Sequence, residues 1–159
     1  MDNSNSTLER VHSLLGKVAA RESGKALPRP ARLLVVDDDT NETLILEREL
    51  LKVGVEVTCA NHGKKAIEIV AGEKMRNQRR PLFDLILLDL KMPQMSGPET
   101  MTQLKLLVPD IPIVIYTGFP KSEEMAAAMK LGFFGVVEKP INLNKLVEIF
   151  TAYHLRPSD

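Results

Sequence analysis

Four short apolar runs each lead into a residue that can do chemistry. Leu33 to Val36 runs into Asp37, Asp38 and Asp39, Leu85 to Leu88 into Asp89, Ile113 to Tyr116 into Thr117, and Phe133 to Val137 reaches Lys139 and Pro140 after Glu138. Taken singly, each has an ordinary reading: an Asp-rich turn caps the next helix, a strand-end Thr satisfies its hydroxyl locally, and Lys before Pro is a surface turn. Gathered at one place they are harder to explain that way. Clustered carboxylates raise one another's pKa unless a cation neutralises them. All-oxygen donors with room left for water suit Mg²⁺ or Mn²⁺ and argue against Zn²⁺. A carboxylate beside such an ion can also attack phosphorus and become an aspartyl phosphate. That transfer needs charge neutralised on the equatorial oxygens more than it needs acid or base chemistry. The ion, the Lys139 ammonium and the Thr117 hydroxyl would each take one oxygen.

The elements that must position these residues follow from the periodicity after residue 31. Short β-branched and aromatic runs at Leu33 to Val36, Val55 to Cys59, Leu85 to Leu88, Ile113 to Tyr116 and Phe133 to Val137 read as fully buried strands. Helical patterns lie between them at Thr40 to Val53, Lys64 to about Arg76, Pro98 to Leu107, Ser122 to Leu131 and Leu143 to Tyr153. Gly54 and Gly132 stand where C-caps belong. Asn41, Ser96, Ser122 and Asn142 stand where caps or first-turn residues belong. Alternating strands and helices predict an α/β fold with right-handed crossovers and helices on both faces of a parallel sheet. In such sheets ligands bind beyond the carboxyl ends of the strands, where all four candidate positions fall. If the strand order is 2-1-3-4-5, strands one and three are neighbours at the switch point, and Asp37, Asp38 and Asp89 converge there.

Composition bounds the rest. The chain has 159 residues, 44% of them hydrophobic, and equal numbers of basic and acidic side chains, 21 of each. That is the arithmetic of one globular domain with no general attraction for nucleic acid or an anionic membrane. The single cysteine, Cys59, can form no internal bridge and no thiolate cage; it is expected as a small buried apolar residue. No run reaches membrane-spanning length and the start lacks the blocks of a signal peptide, so the expected location is cytoplasmic. Residues 1–30 read as a tail or linker. Leu8, Val11, Leu14, Leu15 and Val18 give it a short amphipathic helix that can dock on the body or on a second copy of the chain. Arg76 to Arg80 reads as a solvated basic extension.

The motifs "LLVVDDD", "FDLILLDLKMPQMSG", "IVIYTG" and "EKP", in that order, resemble the receiver domains of two-component response regulators over about Arg32 to Tyr153. The resemblance implies a flavodoxin-like doubly wound (βα)5 sandwich over residues 31–155, with 156–159 a short tail. It implies that Asp89 is the phosphoacceptor and that Asp37 and Asp38, with the Lys91 backbone carbonyl, complete a Mg²⁺ (or Mn²⁺) site. It further makes Thr117 the switch hydroxyl, Lys139 the phosphate-pairing cation and Lys139-Pro140 a cis bond. The phosphodonor would be a histidine kinase or histidine phosphotransfer protein. The output would be an unknown downstream protein meeting the surface of helix 4, strand 5 and helix 5, with no direct nucleic acid and no membrane. Such a domain assists its own phosphorylation but is not an enzyme.

Two positions depart from the family pattern. Val136 stands where an aromatic ring often swings inward, and a valine cannot report activation by burying a ring. Phe119, two residues after Thr117, borders the place of the phosphoryl group and should hinder an attacking water. Two other functions compete. Asp37-Asp38-Asp39-Thr40-Asn41 is similar to the D-x-D-x-T of aspartate-nucleophile phosphatases of the haloacid dehalogenase type, with the threonine one place early and no cap segment. His12 in "HSLLG" resembles a phosphotransfer histidine, but 30 residues cannot supply the four-helix bundle it needs. His62 and His154 read as solvent-facing. Only six residues follow Tyr153, so the chain signals by contact or is a piece of a longer one.

Overall fold

The computed structural model describes residues 31–52, 55–76 and 82–154. Five strands run β1 (Arg32–Val36), β2 (Glu56–Ala60), β3 (Leu85–Leu88), β4 (Ile113–Thr117) and β5 (Gly135–Glu138). They alternate with α1 (Thr40–Leu51), α2 (Gly63–Arg76), α3 (Gly97–Leu107), α4 (Glu123–Leu131) and α5 (Leu143–His154). All pairings are parallel, and the sheet order is β2-β1-β3-β4-β5. This is the parallel α/β sheet expected from the alternating pattern, in the flavodoxin-like doubly wound form that the resemblance implied.

Side chains alternate across a strand, so each strand feeds two cores. Leu33, Val35, Leu85, Leu87, Val114, Tyr116 and Val137 pack with Leu46 and Leu50 of α1 and with Leu146 and Ile149 of α5. Leu34, Val36, Ile86, Leu88, Ile113 and Ile115 pack on the other face with Ala66, Val70, Met101, Leu104, Met125 and Ala128 of α2 to α4. At roughly 1.5–3 kcal/mol for each large aliphatic side chain taken out of water, burial on both faces fixes the register. A slip of one residue would exchange the two cores.

The helix starts follow the polar residues. Asp39 is the N-cap of α1 and Asn41 stands in its first turn, the Asp39 carboxylate accepting from the backbone N–H groups of Asn41 and Glu42. Ser96 and Glu99 form a capping box on α3, and Ser122 caps α4. Asn142 Oδ1 accepts from Lys145 N at the start of α5. Gly132 ends α4 with φ at 79°, a backbone that glycine adopts without strain.

Several sequence expectations are corrected. Cys59 is exposed, and β2 and β5 are only partly buried, because they are the two edges of the sheet and each lacks a neighbour on one side. β5 starts at Gly135, leaving Phe133 and Phe134 as half-buried residues that split between the two cores. His62 is half-buried, and its Nδ1 accepts from Lys65 N in the first turn of α2. Gly54, His12, the amphipathic stretch within residues 1–30, most of the Arg76 to Arg80 segment and the 156–159 tail lie outside the described residues, as does the side chain of His154.

Candidate functional site

Backbone pairing carries the sheet one step past its strands at the carboxyl edge. Asp89 N donates to Val36 O at 2.9 Å, Asp37 N to Ala60 O at 3.0 Å, and Lys139 N to Thr117 O at 2.9 Å. The ends of β1, β3, β4 and β5 are therefore set side by side by main-chain hydrogen bonds before any side chain is considered. By the alternation of the strands, Asp37, Asp89 and Lys139 continue the face shared with α1 and α5, and Thr117 continues the other.

Asp37, Asp38 and Asp89 each offer a carboxylate oxygen, and the three oxygens lie within 4.8 Å of one another. Asp37 and Asp89 are buried, at 1% and 5% exposure, whereas Asp38 is exposed. The set is all oxygen and open on one side, which fits a hard divalent cation that keeps some of its water. Neither buried acid is free to swing. Asp37 Oδ1 accepts from Asp39 N at 2.9 Å and Asp89 Oδ1 from Leu90 N at 2.8 Å.

Lys139 is the cation the acids have. Its Nζ lies 2.5 Å from Asp37 Oδ2, 3.0 Å from Glu42 Oε2 and 3.4 Å from Asp89 Oδ2, and it sits 5.1 Å from the centre of the Tyr116 ring. The peptide bond that follows it, Lys139-Pro140, is cis. Thr117 is fully buried, and its hydroxyl oxygen accepts from Phe119 N at 3.0 Å. Lys91 is exposed two residues beyond Asp89, and its ammonium lies 4.3 Å from the centre of the Phe119 ring. That contact links the loops after β3 and β4 across the mouth of the site. Val136 is half-buried against the core beneath α2 to α4.

The electrostatics follow from this crowding. Burial pushes the Asp89 carboxyl up from 3.8 to about 6; Lys139 opposes the rise and the charge on Asp37 adds to it. Asp37 is raised as well, chiefly by burial, with Lys139 pulling the other way. Burial works against the Lys139 ammonium, but the hydrogen bonds it donates to Asp37 and Glu42 and the charge on Asp89 outweigh it and hold the group charged. Two of the acids are thus short of positive charge even with the lysine in place.

The sequence motifs identified every member of this cluster except Glu42. Its spacing from the N-cap, Asp39-Thr40-Asn41-Glu42, is that of a capping box, so it reads as a helix-start residue. In the fold its carboxylate is drawn to Lys139. The one available signal was that the cap itself belongs to the acidic motif.

The family model for the response regulator receiver domain matches residues 33–151. The chain belongs to the response regulator receiver family. It is 36% identical over 114 residues to the transcriptional regulatory protein ZraR of Klebsiella oxytoca, covering 72% of this chain and 24% of that protein. The chain thus spans about a quarter of that relative's length. Among solved structures it resembles the receiver domain of the histidine kinase CKI1 from Arabidopsis thaliana, determined with Mg²⁺. There the identity is 29% and the TM-score 0.68, covering 78% of this chain and 92% of that one. It is also similar to the chemotaxis protein CheY4 of Vibrio cholerae, at 25% identity and a TM-score of 0.64, covering 78% of this chain and 98% of that one. Receiver membership does not favour the haloacid-dehalogenase-type alternative. Among the described residues, no helix is long and apolar enough to cross a membrane.

Proposed function

We propose that this receiver domain is a phosphorylatable binding switch whose phosphoacceptor is Asp89. The observation that supports the reading most is the meeting of Asp37 and Asp89 around one lysine at the carboxyl edge of the sheet. Asp89 is buried, fixed through one oxygen by Leu90 N, and has its other oxygen toward Lys139. Asp37, Asp38, Asp89 and the Lys91 backbone carbonyl would hold Mg²⁺ or Mn²⁺, which when bound supplies positive charge against the incoming phosphoryl oxygens. A carboxylate oxygen of Asp89 attacks phosphorus; the new O–P bond forms as the bond to the donor breaks, and the donor keeps that electron pair. With a histidine kinase or histidine phosphotransfer protein the leaving group is a histidine nitrogen, and with acetyl phosphate it is acetate.

In this reading Lys139 pairs with one phosphoryl oxygen and the Thr117 hydroxyl reaches another. To reach it, Thr117 gives up its bond from Phe119 N, and that change carries the state of the site into the loop leading to α4. The surface of α4, β5 and α5, where Met129 is exposed, then changes its affinity for a partner protein. Val136 has no ring to bury, so the signal runs through the loop and helix and not through an aromatic rotamer.

The domain so described is a cytoplasmic phosphoacceptor with a protein-binding output, spanning residues 31–155. Direct nucleic-acid contact is not part of the proposal, although the named relative is a transcriptional regulator. Intact-mass measurement after incubation with acetyl phosphate tests the reading. Wild type should gain one phosphoryl group when Mg²⁺ is present, and Asp89→Asn should gain none. Equal labelling of the two would overturn the assignment.

A further inference from the structure

The lysine that must serve the phosphoryl group is already occupied. Its Nζ is closer to Asp37 Oδ2 and Glu42 Oε2, at 2.5 and 3.0 Å, than to Asp89 Oδ2 at 3.4 Å. Glu42 stands in the first turn of α1, which Asp39 caps through the N–H groups of Asn41 and of Glu42 itself. Its backbone is therefore fixed, and its side chain is only 35% exposed. Neither partner of Lys139 at closer range is the acid that would be modified.

We propose that Glu42 is a positioning residue that competes with the phosphoryl group for Lys139 and so sets how readily the site is loaded. The inference rests on the receiver reading above. To pair with an oxygen carried by Asp89, the ammonium must loosen its hold on Glu42, and the half-buried carboxylate left behind then faces a newly added anion. Both effects raise the cost of the loaded state. Asp37 differs from Glu42 in this respect, because its carboxylate has the divalent cation as a second partner in the loaded site. Glu42 has no such replacement and is the partner whose loss counts.

The test is a titration with beryllofluoride at saturating Mg²⁺, followed by fluorine NMR, on four proteins: wild type, Glu42→Gln, Lys139→Met and the double variant. Thermal unfolding confirms that each is folded. Glu42→Gln should bind the mimic more tightly than wild type by about fivefold, the scale of one partly exposed ion pair. In the Lys139→Met background the same substitution should lose most of that gain, because no ammonium remains to be released. If Glu42→Gln binds no tighter than wild type, the inference fails. If half or more of the gain persists without the lysine, the effect is simple charge repulsion and the competition is refuted. A wild type that binds no beryllofluoride in Mg²⁺ defeats the receiver reading itself, and this inference with it. Binding by wild type without a Glu42 effect defeats only the competition.

Discussion

Asp89→Asn should make the protein more stable at neutral pH while abolishing its proposed chemistry. The folded chain holds the Asp89 carboxyl at about 6 where the ordinary value is 3.8, with burial as the main cause and Asp37 adding to it. Between those two values the folded chain keeps a proton that the unfolded chain has released. Stability therefore falls as pH rises through that window, and the full cost is present above it. A displacement of that size corresponds to about 2–3 kcal/mol at pH 7, a large share of the margin of a small domain. Asparagine keeps the acceptor for Leu90 N and removes the charge. Urea unfolding of the two proteins at pH 7 without divalent ions should show the variant more stable by about 2–3 kcal/mol. The gain should shrink as pH is lowered from 6 towards 4, where wild type acquires its own proton. Added Mg²⁺ at about 100 times its dissociation constant should return about 2.7 kcal/mol to wild type and less to the variant. A variant no more stable than wild type at pH 7, or a difference that ignores pH, would refute the reasoning.

Other substitutions test the frame around the site. A Cβ on Gly97 would lie 2.5 Å from Leu90 Cα and 2.6 Å from Asp89 O, main-chain atoms that cannot give way. Gly97→Ala should therefore cost about 2–3 kcal/mol in urea unfolding and weaken Mg²⁺ binding measured by calorimetry. Ser96→Ala removes the capping box of α3 and should cost about 1 kcal/mol with Mg²⁺ affinity unchanged. Phe119, 57% exposed beneath the Lys91 ammonium, should slow attack by water on the phosphorylated state. Phe119→Ala should lose its label roughly tenfold faster, a barrier change of about 1.4 kcal/mol, when decay is followed by intact mass.

The fold was legible because Leu33 to Val36 and Leu85 to Leu88 are buried on both faces, which makes them continuous apolar runs. Their ends are abrupt, so Asp37 and Asp89 stood out. The edge strands were less legible. Val57 and Cys59 are the residue types of an inner strand, yet β2 lies at the edge of the sheet and Cys59 is exposed. The order 2-1-3-4-5 places β2 and β5 at the edges, but the apolar runs by themselves do not show how much of each edge strand stays uncovered. Glu42 was hidden for a different reason: its local pattern has a sufficient local explanation, and its real partner is far away in sequence at Lys139. A long-range ion pair leaves no periodicity.

The central claim is that Asp89 carries the phosphoryl group in a site that depends on a divalent ion. Trapping with borohydride, which reduces an aspartyl phosphate to homoserine, followed by peptide sequencing, tests it most directly. After incubation with acetyl phosphate and Mg²⁺, homoserine should replace aspartate at position 89 and at no other acid, and chelation of the ion should abolish the conversion. Conversion at Asp37 or Asp38, or conversion at Asp89 that persists in chelator, would contradict the account.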